Sequence, residues 1–575
     1  MSTVLQGSPA ARGIAIGPAW VYRSAEFKLE IRIDCKPEQE RTRLDNAIEA
    51  ARQQLDDLVQ RARKRLGEKE AQIFEAHRLI LDDPELLHAV HTMLQREKIN
   101  AEAAFSQCVE KYAQALSDLD SEYFQARAQD VHDVGRRVLN ALHGYDPDQV
   151  ILPQEPVIVV AEDLTPSDTL QFDPAKILGF CTMRGGPTSH TAILARSLDI
   201  PAVVGLAKEI SSLPLSTMVI LDGNKGTLTL DPDEQTLANA QKTRAVQQEI
   251  WRQQRDQAME AARTKDNVQI EVVANVSSVA EAQIAMEFGA EGIGLLRTEF
   301  LYIDQDTMPS LEKQIETYKE IALVVGDRPV VVRTLDIGGD KHVPYLGLQQ
   351  EPNPFLGWRA IRMIDERPEV LQNQFEALLL GFADLDLRVM LPLVSQLDEV
   401  IKAREIFETA ANNVKQRHDF IHPRLQFGMM VEVPSAALMA DAFAANVDFF
   451  SIGTNDLVQY TLAVDRTNER VSQLASPFHP AVIKLIVMTV EAAHRKGRWV
   501  GLCGEMAGDP LATALLLGMG LDELSMAPAS IPEIKQIIRK LSMEECRQIA
   551  ESVLKLPTTE QVIQSLADTR RAANP

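Results

Sequence analysis

The sequence predicts a multidomain α/β protein: a small α/β domain interrupted by a helical bundle, then a linker helix, then a C-terminal (β/α)8 barrel. Three observations carry this expectation. Between residues 268 and 510, short apolar runs alternate with helical stretches. Between Lys36 and His143, only Gly67 and Gly135 interrupt a stretch dominated by Glu, Gln, Arg, Leu and Ala. After Tyr145 prolines return, and β-type runs alternate with helical ones as far as Pro232. At 575 residues and 45% hydrophobic content, the chain can fill more than one core.

In chain order, residues 1–25 are rich in Gly, Pro, Ala and Val and read as one or two short strands, GIAIG and AWVYR. Leu44, Ile48, Ala51, Leu55, Val59, Ala62 and Leu66 then recur at three- and four-residue steps, the stripe of an amphipathic helix. Similar stripes in 69–83, 85–97, 100–118 and 120–143 make 26–146 a helical bundle. PVIVVAE, KILGFCT, AVVGL, MVILDG and GTLTL are the β-type runs of 147–232. They share the Gly/Val-rich character of residues 1–25, which makes the bundle an insertion into one α/β domain. Residues 233–265 contain neither Gly nor Pro and predict one long polar connector helix.

The remainder, 266–575, carries the barrel pattern. Continuous apolar runs of this length read as buried parallel strands. They are IEVVANV (270–276), GIGLLRTE (292–299), VVVRTLD (330–336), LRVMLPLV (387–394), FGMMVEVP (427–434), FFSIGTND (449–456) and WVGLCGE (499–505), with a weak eighth near Pro354–Arg362. Barrel active sites lie where the strands end. The runs end on Arg297 and Glu299, Arg333 and Asp336, Glu432, Asn455 and Asp456, and Cys503 and Glu505. Arginines, carboxylates, an amide and a thiol converging there suit a small phosphorylated acid bound with a divalent metal.

Composition narrows the function classes. A net charge of −23 argues against nucleic acid or an anionic membrane as main partner. The opening MSTVLQGSPAARG lacks the apolar core of a signal peptide, and no run reaches the ~18 apolar residues of a membrane span. Cys35, Cys108, Cys181, Cys503 and Cys546 are scattered, without a CxxC, as expected of reduced cytoplasmic thiols.

One further segment carries chemistry: Gly185-Gly-Pro-Thr-Ser-His190-Thr-Ala-Ile-Leu-Ala-Arg196. Two glycines let the backbone turn tightly and approach a ligand. Thr188 and Ser189 are helix N-cap types, so His190 is expected in the first helical turn. The helix dipole there favours an anionic phosphate on the ring and disfavours the imidazolium, which keeps a nucleophilic nitrogen available. An isolated histidine at a helix start would more often be a packed polar residue.

The whole of that segment resembles the phosphohistidine signature of phosphoenolpyruvate (PEP)-utilising enzymes. Asp448-Phe-Phe-Ser-Ile-Gly-Thr-Asn-Asp-Leu-Val-Gln-Tyr-Thr-Leu-Ala-Val-Asp-Arg466 is similar to the metal and phosphate segment of the same enzymes. The order of motifs, with IFEAHRLILDDPEL (73–86), NPFLGWRAIR (353–362) and LCGEMAGDP (502–510), resembles the PEP–protein phosphotransferases, the enzymes I of bacterial sugar phosphotransferase systems.

The resemblance implies a role for each matching position. His190 accepts the phosphoryl group, with Thr169 at the position that hydrogen-bonds it. Arg297, Arg333, Arg466 and Asn455 bind PEP, Arg359 reaching the ligand as well. Glu432 and Asp456 hold Mg²⁺, and Cys503 protonates the enolate to pyruvate. Residues 1–25 and 147–232 become the two parts of the phosphohistidine domain, 26–146 binds the carrier protein HPr, 233–265 is the linker, and 266–575 binds PEP and forms a homodimer. Because His190 and the arginines lie in different domains, the first must swing onto the barrel mouth and away again. Two departures stand out: Pro187 replaces an arginine of some relatives, and Pro9-Ala-Ala-Arg-Gly13 replaces a more usual Ser-Pro-Gly.

Two other readings share these motifs. A pyruvate phosphate dikinase or PEP synthase would need a nucleotide-grasp domain, for which no residues are left over, and no GxxxxGK[ST] loop occurs. A non-catalytic PEP-sensing regulator would need neither His190 nor Cys503.

Overall fold

A computed structural model of the chain describes residues 3–22, 30–65, 68–117, 122–145, 155–186, 191–192, 195, 200–207, 210–211, 213–214, 216–303, 305, 307–338, 343–347, 351–466, 468 and 471–573. It divides into two compact units, Met1–Glu249 and Ile250–Pro575.

In the first unit β1 (Thr3–Gln6), β2 (Ser8–Ala11) and β3 (Ile14–Val21) precede five helices. These are α1 (Pro37–Arg65), α2 (Glu68–Leu81), α3 (Pro84–Glu97), α4 (Ala101–Ser117) and α5 (Glu122–Leu142). The chain then returns to β4 (Val157–Ala161), α6 (Pro166–Gln171), β5 (Ile177–Thr182), β6 (Ala202–Val204), β7 (Met218–Asp222) and β8 (Thr227–Leu230). The sheet runs β1-β8-β7-β3-β4-β5-β6-β2. β3 and β4 are parallel neighbours, with Ala19 opposite Ile158, although the whole bundle lies between them in the chain. The bundle is therefore inserted into the sheet. The opening residues form three strands where one or two were expected. SPAA lacks apolar alternation because β2 is an edge strand, a place that tolerates Pro9.

The bundle closes over Leu44, Leu55, Phe74, Val90, Phe105 and Val138. Asp83 starts α3 by accepting from the N–H groups of Glu85 and Leu86 at 2.8 and 3.1 Å, with Pro84 in the first turn. A buried polar junction ties bundle to sheet. Arg136 of α5 donates to Thr165 Oγ1 at 3.1 Å and to Asp168 at 3.3 Å, and Arg137 donates to Ser167 Oγ at 2.8 Å. Tyr22 donates to Asp168 at 2.6 Å, and Thr165 and Asp168 form the capping box of α6.

The connector helix spans Glu234–Asp256, shorter than the expected 233–265. Past Asp256 a barrel helix, Ile531–Arg539, captures the carbonyls that further helical turns would use. Lys535 Nζ donates to Ala258 O and Gly289 O, each at 2.8 Å, and Arg539 donates to Gln257 O and Glu260 O at 2.8 and 2.7 Å.

The second unit is a closed barrel of eight parallel strands. They are β9 (Glu271–Val276), β10 (Ile293–Leu296), β11 (Val330–Arg333), β12 (Leu387–Leu391), β13 (Leu425–Val431), β14 (Phe449–Ile452), β15 (Trp499–Leu502) and β16 (Glu523–Met526). The expected eighth strand near Pro354–Arg362 is instead two 3₁₀ turns, Pro354–Leu356 and Ala360–Asp365. The true eighth, ELSM, has no continuous apolar run because Glu523 and Ser525 are buried inside the barrel.

Glu523 belongs to a charge cluster at the N-terminal end of the barrel. Arg388 lies 2.9 Å from Glu271, 3.2 Å from Glu523 and 3.2 Å from Asp386. Trp499 covers the guanidinium at 4.8 Å and stacks on Phe449 at 4.5 Å. Burial, reinforced by Glu271, raises the Glu523 carboxyl from 4.5 to about 8 against the pull of Arg388. The folded carboxyl therefore keeps a proton that the unfolded one releases, and its contribution to stability declines as pH climbs from 4.5 to about 8. The barrel's unfolding midpoint should accordingly fall further between about pH 5 and about pH 9 in the wild type than in Glu523→Gln. Equal falls in calorimetry would contradict this.

Candidate active site

Five of the eight barrel strands deliver a polar or thiol side chain at the C-terminal end. Arg297 follows β10, Arg333 closes β11, Glu432 follows β13, and Cys503 follows β15. Asn455 and Asp456 open the helix Thr454–Leu462 just past β14. Beneath them, Leu295, Val331, Met390, Met430 and Phe449 fill the barrel interior together with Cys503.

The mouth is built on a network of buried ions. Arg333 donates to Glu299 at 2.6 Å and lies 3.1 Å from Asp336. Arg359 makes a forked pair with Asp336, at 2.8 and 2.9 Å, and reaches Asp456 at 3.0 Å. Its approach depends on Gly338 (φ +108°), where a Cβ would stand 2.8 Å from the Arg359 Cα. Tyr460 donates to Phe355 O at 2.6 Å and sits 3.4 Å from Arg359. Glu432 accepts from the N–H of Leu393, a residue held at φ +53°. Arg466, partly exposed, approaches Asp456 at 3.5 Å. Arg297 is exposed and has no ion-pair partner among the described residues. Asn455 and Glu505 clasp each other: Asn455 Nδ2 donates at 3.2 Å, and the Glu505 N–H donates back at 3.1 Å.

Electrostatics follow from this packing. Burial would depress the guanidinium of Arg333, but Glu299 and Asp336 outweigh it and hold the group above its usual range. Arg359 is held up likewise by Asp336 and Asp456. Burial, with Asp456 and Asp336 nearby, pushes the Glu432 carboxyl up to about 8. Burial also pushes the Cys503 thiol up to about 11, so it is a protonated group able to give a proton up.

Of the residues singled out in the sequence, Arg333, Arg359, Glu432, Asp456 and Arg466 form one connected cluster through these contacts and fields. Arg297, Asn455 and Cys503 stand at the same strand ends. Glu299 and Asp336 hold the arginines in place. His190 and Arg196 lie outside the described residues; Thr169 lies in α6. Sequence reasoning missed Tyr460, the Leu393 amide and Gln374. Gln374 is fully buried and bonds both Thr298 Oγ1, at 3.0 Å, and the Leu335 N–H, at 2.9 Å. A glutamine amid the apolar face of its helix was the only signal available.

Comparison with known proteins defines the class first. Residues 251–543 match the PEP-binding domain of PEP-utilising enzymes, 6–127 match their N-terminal domain, and 153–226 their mobile domain. A phosphoenolpyruvate-protein phosphotransferase of Geobacillus stearothermophilus is 43% identical over 559 residues, 97% of each chain. That of Bacillus subtilis (strain 168) is 41% identical over 568 residues, 98% of this chain and 99% of its own. An NMR solution structure of an Enzyme I protein covers 42% of this chain and 99% of its own, at 36% identity and a TM-score of 0.38. The chain belongs to the phosphoenolpyruvate-protein phosphotransferase family.

Asp336 is the shared anion of two buried arginines. Its replacement by alanine leaves both short of a partner and is expected to cost the barrel roughly 3–5 kcal/mol in urea denaturation. A loss below about 1 kcal/mol would mean that the network tolerates the gap.

Proposed function

We propose that this chain transfers the phosphoryl group of PEP to His190, releasing pyruvate, and then to a histidine of HPr, the first step of sugar uptake by the phosphotransferase system. The observation that carries this reading is the meeting of Arg333, Arg359, Glu432, Asp456 and Cys503 at one barrel face. Arg297 and Arg466 have guanidinium surface exposed for phosphate and carboxylate, and Asn455 adds an amide. Arg359 is turned to protein carboxylates and orders the mouth from behind while standing within reach of the ligand.

The residues present fit a divalent cation. Four buried carboxylates, Glu299, Asp336, Glu432 and Asp456, face two buried guanidiniums, Arg333 and Arg359. Arg466 approaches Asp456 Oδ1 at 3.5 Å, and among the described residues that buried oxygen has no hydrogen-bond partner, which leaves it open to a cation. Mg²⁺ suits such a site because it takes few protein carboxylates and keeps water and substrate oxygens. Glu432 and Asp456 would hold it. Bound there, it would neutralise developing charge on the substrate's phosphoryl and enolate oxygens.

The chain's own groups do the rest. The arginines clamp the substrate so that phosphorus faces incoming His190 in line. His190 takes the phosphoryl group, and Cys503 gives its proton to the methylene carbon as pyruvate forms. His190 must swivel between the barrel mouth and the carrier, the domains being 1–25 with 147–232, 26–146, 233–265 and 266–575. On the bundle, Leu79 is 75% exposed while Phe74 and Leu81 are buried, which favours α2 as part of the surface for HPr. Exposed Leu438, Met439 and Leu474 supply apolar surface for homodimerisation through the barrel. No helix among the described residues is long and apolar enough to cross a membrane, consistent with work in the cytoplasm.

With ³²P-PEP, Mg²⁺ and HPr, wild-type chain should carry acid-labile label and pass it on, and His190→Ala should do neither. Normal labelling of HPr by that variant would sink the proposal. Locking the domains apart should stop labelling by PEP yet leave exchange with phosphorylated HPr intact, and survival of both would remove the swivel.

A further inference from the structure

Cys503 is anchored by its backbone. Its carbonyl accepts from Asn275 Nδ2 at 3.0 Å, and Asn275 Oδ1 accepts from Ser525 Oγ at 2.6 Å. Asn275 lies near the end of β9 and Ser525 in β16, so the amide reaches across one strand to the end of β15. Ser525 is fully buried, and its place is kept by Gly294, where a Cβ would stand 2.5 Å from the hydroxyl.

The residue after Cys503 explains why an anchor is needed. A Cβ on Gly504 would collide with Thr454 Oγ1, so close packing of the Thr454–Leu462 helix requires glycine there. Glycine also gives the Cys503–Gly504 peptide a rotational freedom that other residues lack. Rotation of that peptide would re-aim the backbone that carries the thiol. The Asn275 amide opposes it from the β9 side, as the Asn455–Glu505 clasp does from the β14 side.

We propose that Asn275, oriented by Ser525, is a positioning residue that fixes the Cys503–Gly504 peptide and thereby the direction in which the thiol faces the barrel mouth. The proposal rests on the reading of Cys503 as proton donor. In that step the S–H bond breaks, and its proton forms a C–H bond with the π pair at the methylene carbon of enolpyruvate. The enolate oxygen closes to a carbonyl, and the thiolate left behind recovers a proton from water. The reverse step, removal of a methyl proton from pyruvate by the thiolate, uses the same geometry. Misplacement by about 1 Å costs such a step roughly 10²-fold.

Exchange of pyruvate methyl hydrogens in D₂O with Mg²⁺, followed by NMR, reads this proton transfer alone. Oxalate, a planar dianion without an exchangeable carbon, reads binding at the mouth alone. Asn275→Leu should slow exchange by roughly 10- to 100-fold and Ser525→Ala by less, both keeping oxalate affinity within about twofold of wild type. Cys503→Ala separates the two levels of the argument. If it exchanges at the wild-type rate, the donor assignment fails. If it stops exchange while Asn275→Leu exchanges normally, the positioning role fails. Equal losses of exchange and oxalate affinity in Asn275→Leu would overturn the proposal too, because Asn275 would then support the whole mouth. Should Asn275→Leu not fold, Ser525→Ala, which deletes one hydroxyl, decides by the same pair of readings.

Discussion

Asp336 lies between Arg333 and Arg359, and through Arg359 it is joined to Asp456. Taking so many charges out of water is costly, and attraction repays it only where geometry is good and the remaining groups are satisfied. Arg359 meets that condition through its forked contacts, whereas Arg333 makes short contacts but its buried Nε has no hydrogen-bond partner among the described residues. The carboxylates meet it only in part: among the described residues Asp456 Oδ1 has no hydrogen-bond partner, Arg466 standing 3.5 Å away, and Glu432 retains its proton to about pH 8. Carboxylates thus line the mouth beside the buried arginines, and Arg297 and Arg466 are exposed at its rim. The proposed metal-bound anion would meet both sets of charge.

The opposite end of the barrel solves a related problem differently. Arg388 is surrounded by Glu271, Glu523 and Asp386, roofed by Trp499, and shut away from the mouth by the layer containing Phe449 and Met390. No ligand chemistry is evident there, and the cluster acts as a polar plug. The two ends share a reliance on glycine for close approach: Gly338 admits Arg359, Gly501 leaves room for Glu523, and Gly504 clears Thr454. At these three positions an added methyl group would displace Arg359, Glu523 and Thr454 respectively.

In the first unit a single carboxylate again does several jobs. Asp168 caps α6, accepts from Tyr22, and faces Arg136 of the bundle. The inserted helices are therefore fastened to the sheet domain at the short helix that carries Thr169, not only by apolar contact.

Seven of the eight barrel strands, the inserted bundle and most of the mouth were legible in the sequence, because apolar runs ending on Arg333, Glu432, Asp456 and Cys503 are local patterns. The eighth strand was not, since ELSM buries a glutamate and a serine that only a partner from β12 and β9 makes tolerable. The end of the connector helix at Asp256 was hidden for the same reason: Lys535 and Arg539, remote in the chain, take its next carbonyls. Sequence by itself determined which chemical groups reach the barrel's rim, since period and strand ends set that locally. Tertiary structure alone decided which of them are paired, which are left exposed, and which carbonyl Asn275 holds, because hydrogen bonds and charge compensation depend on neighbours that the chain brings together from far apart.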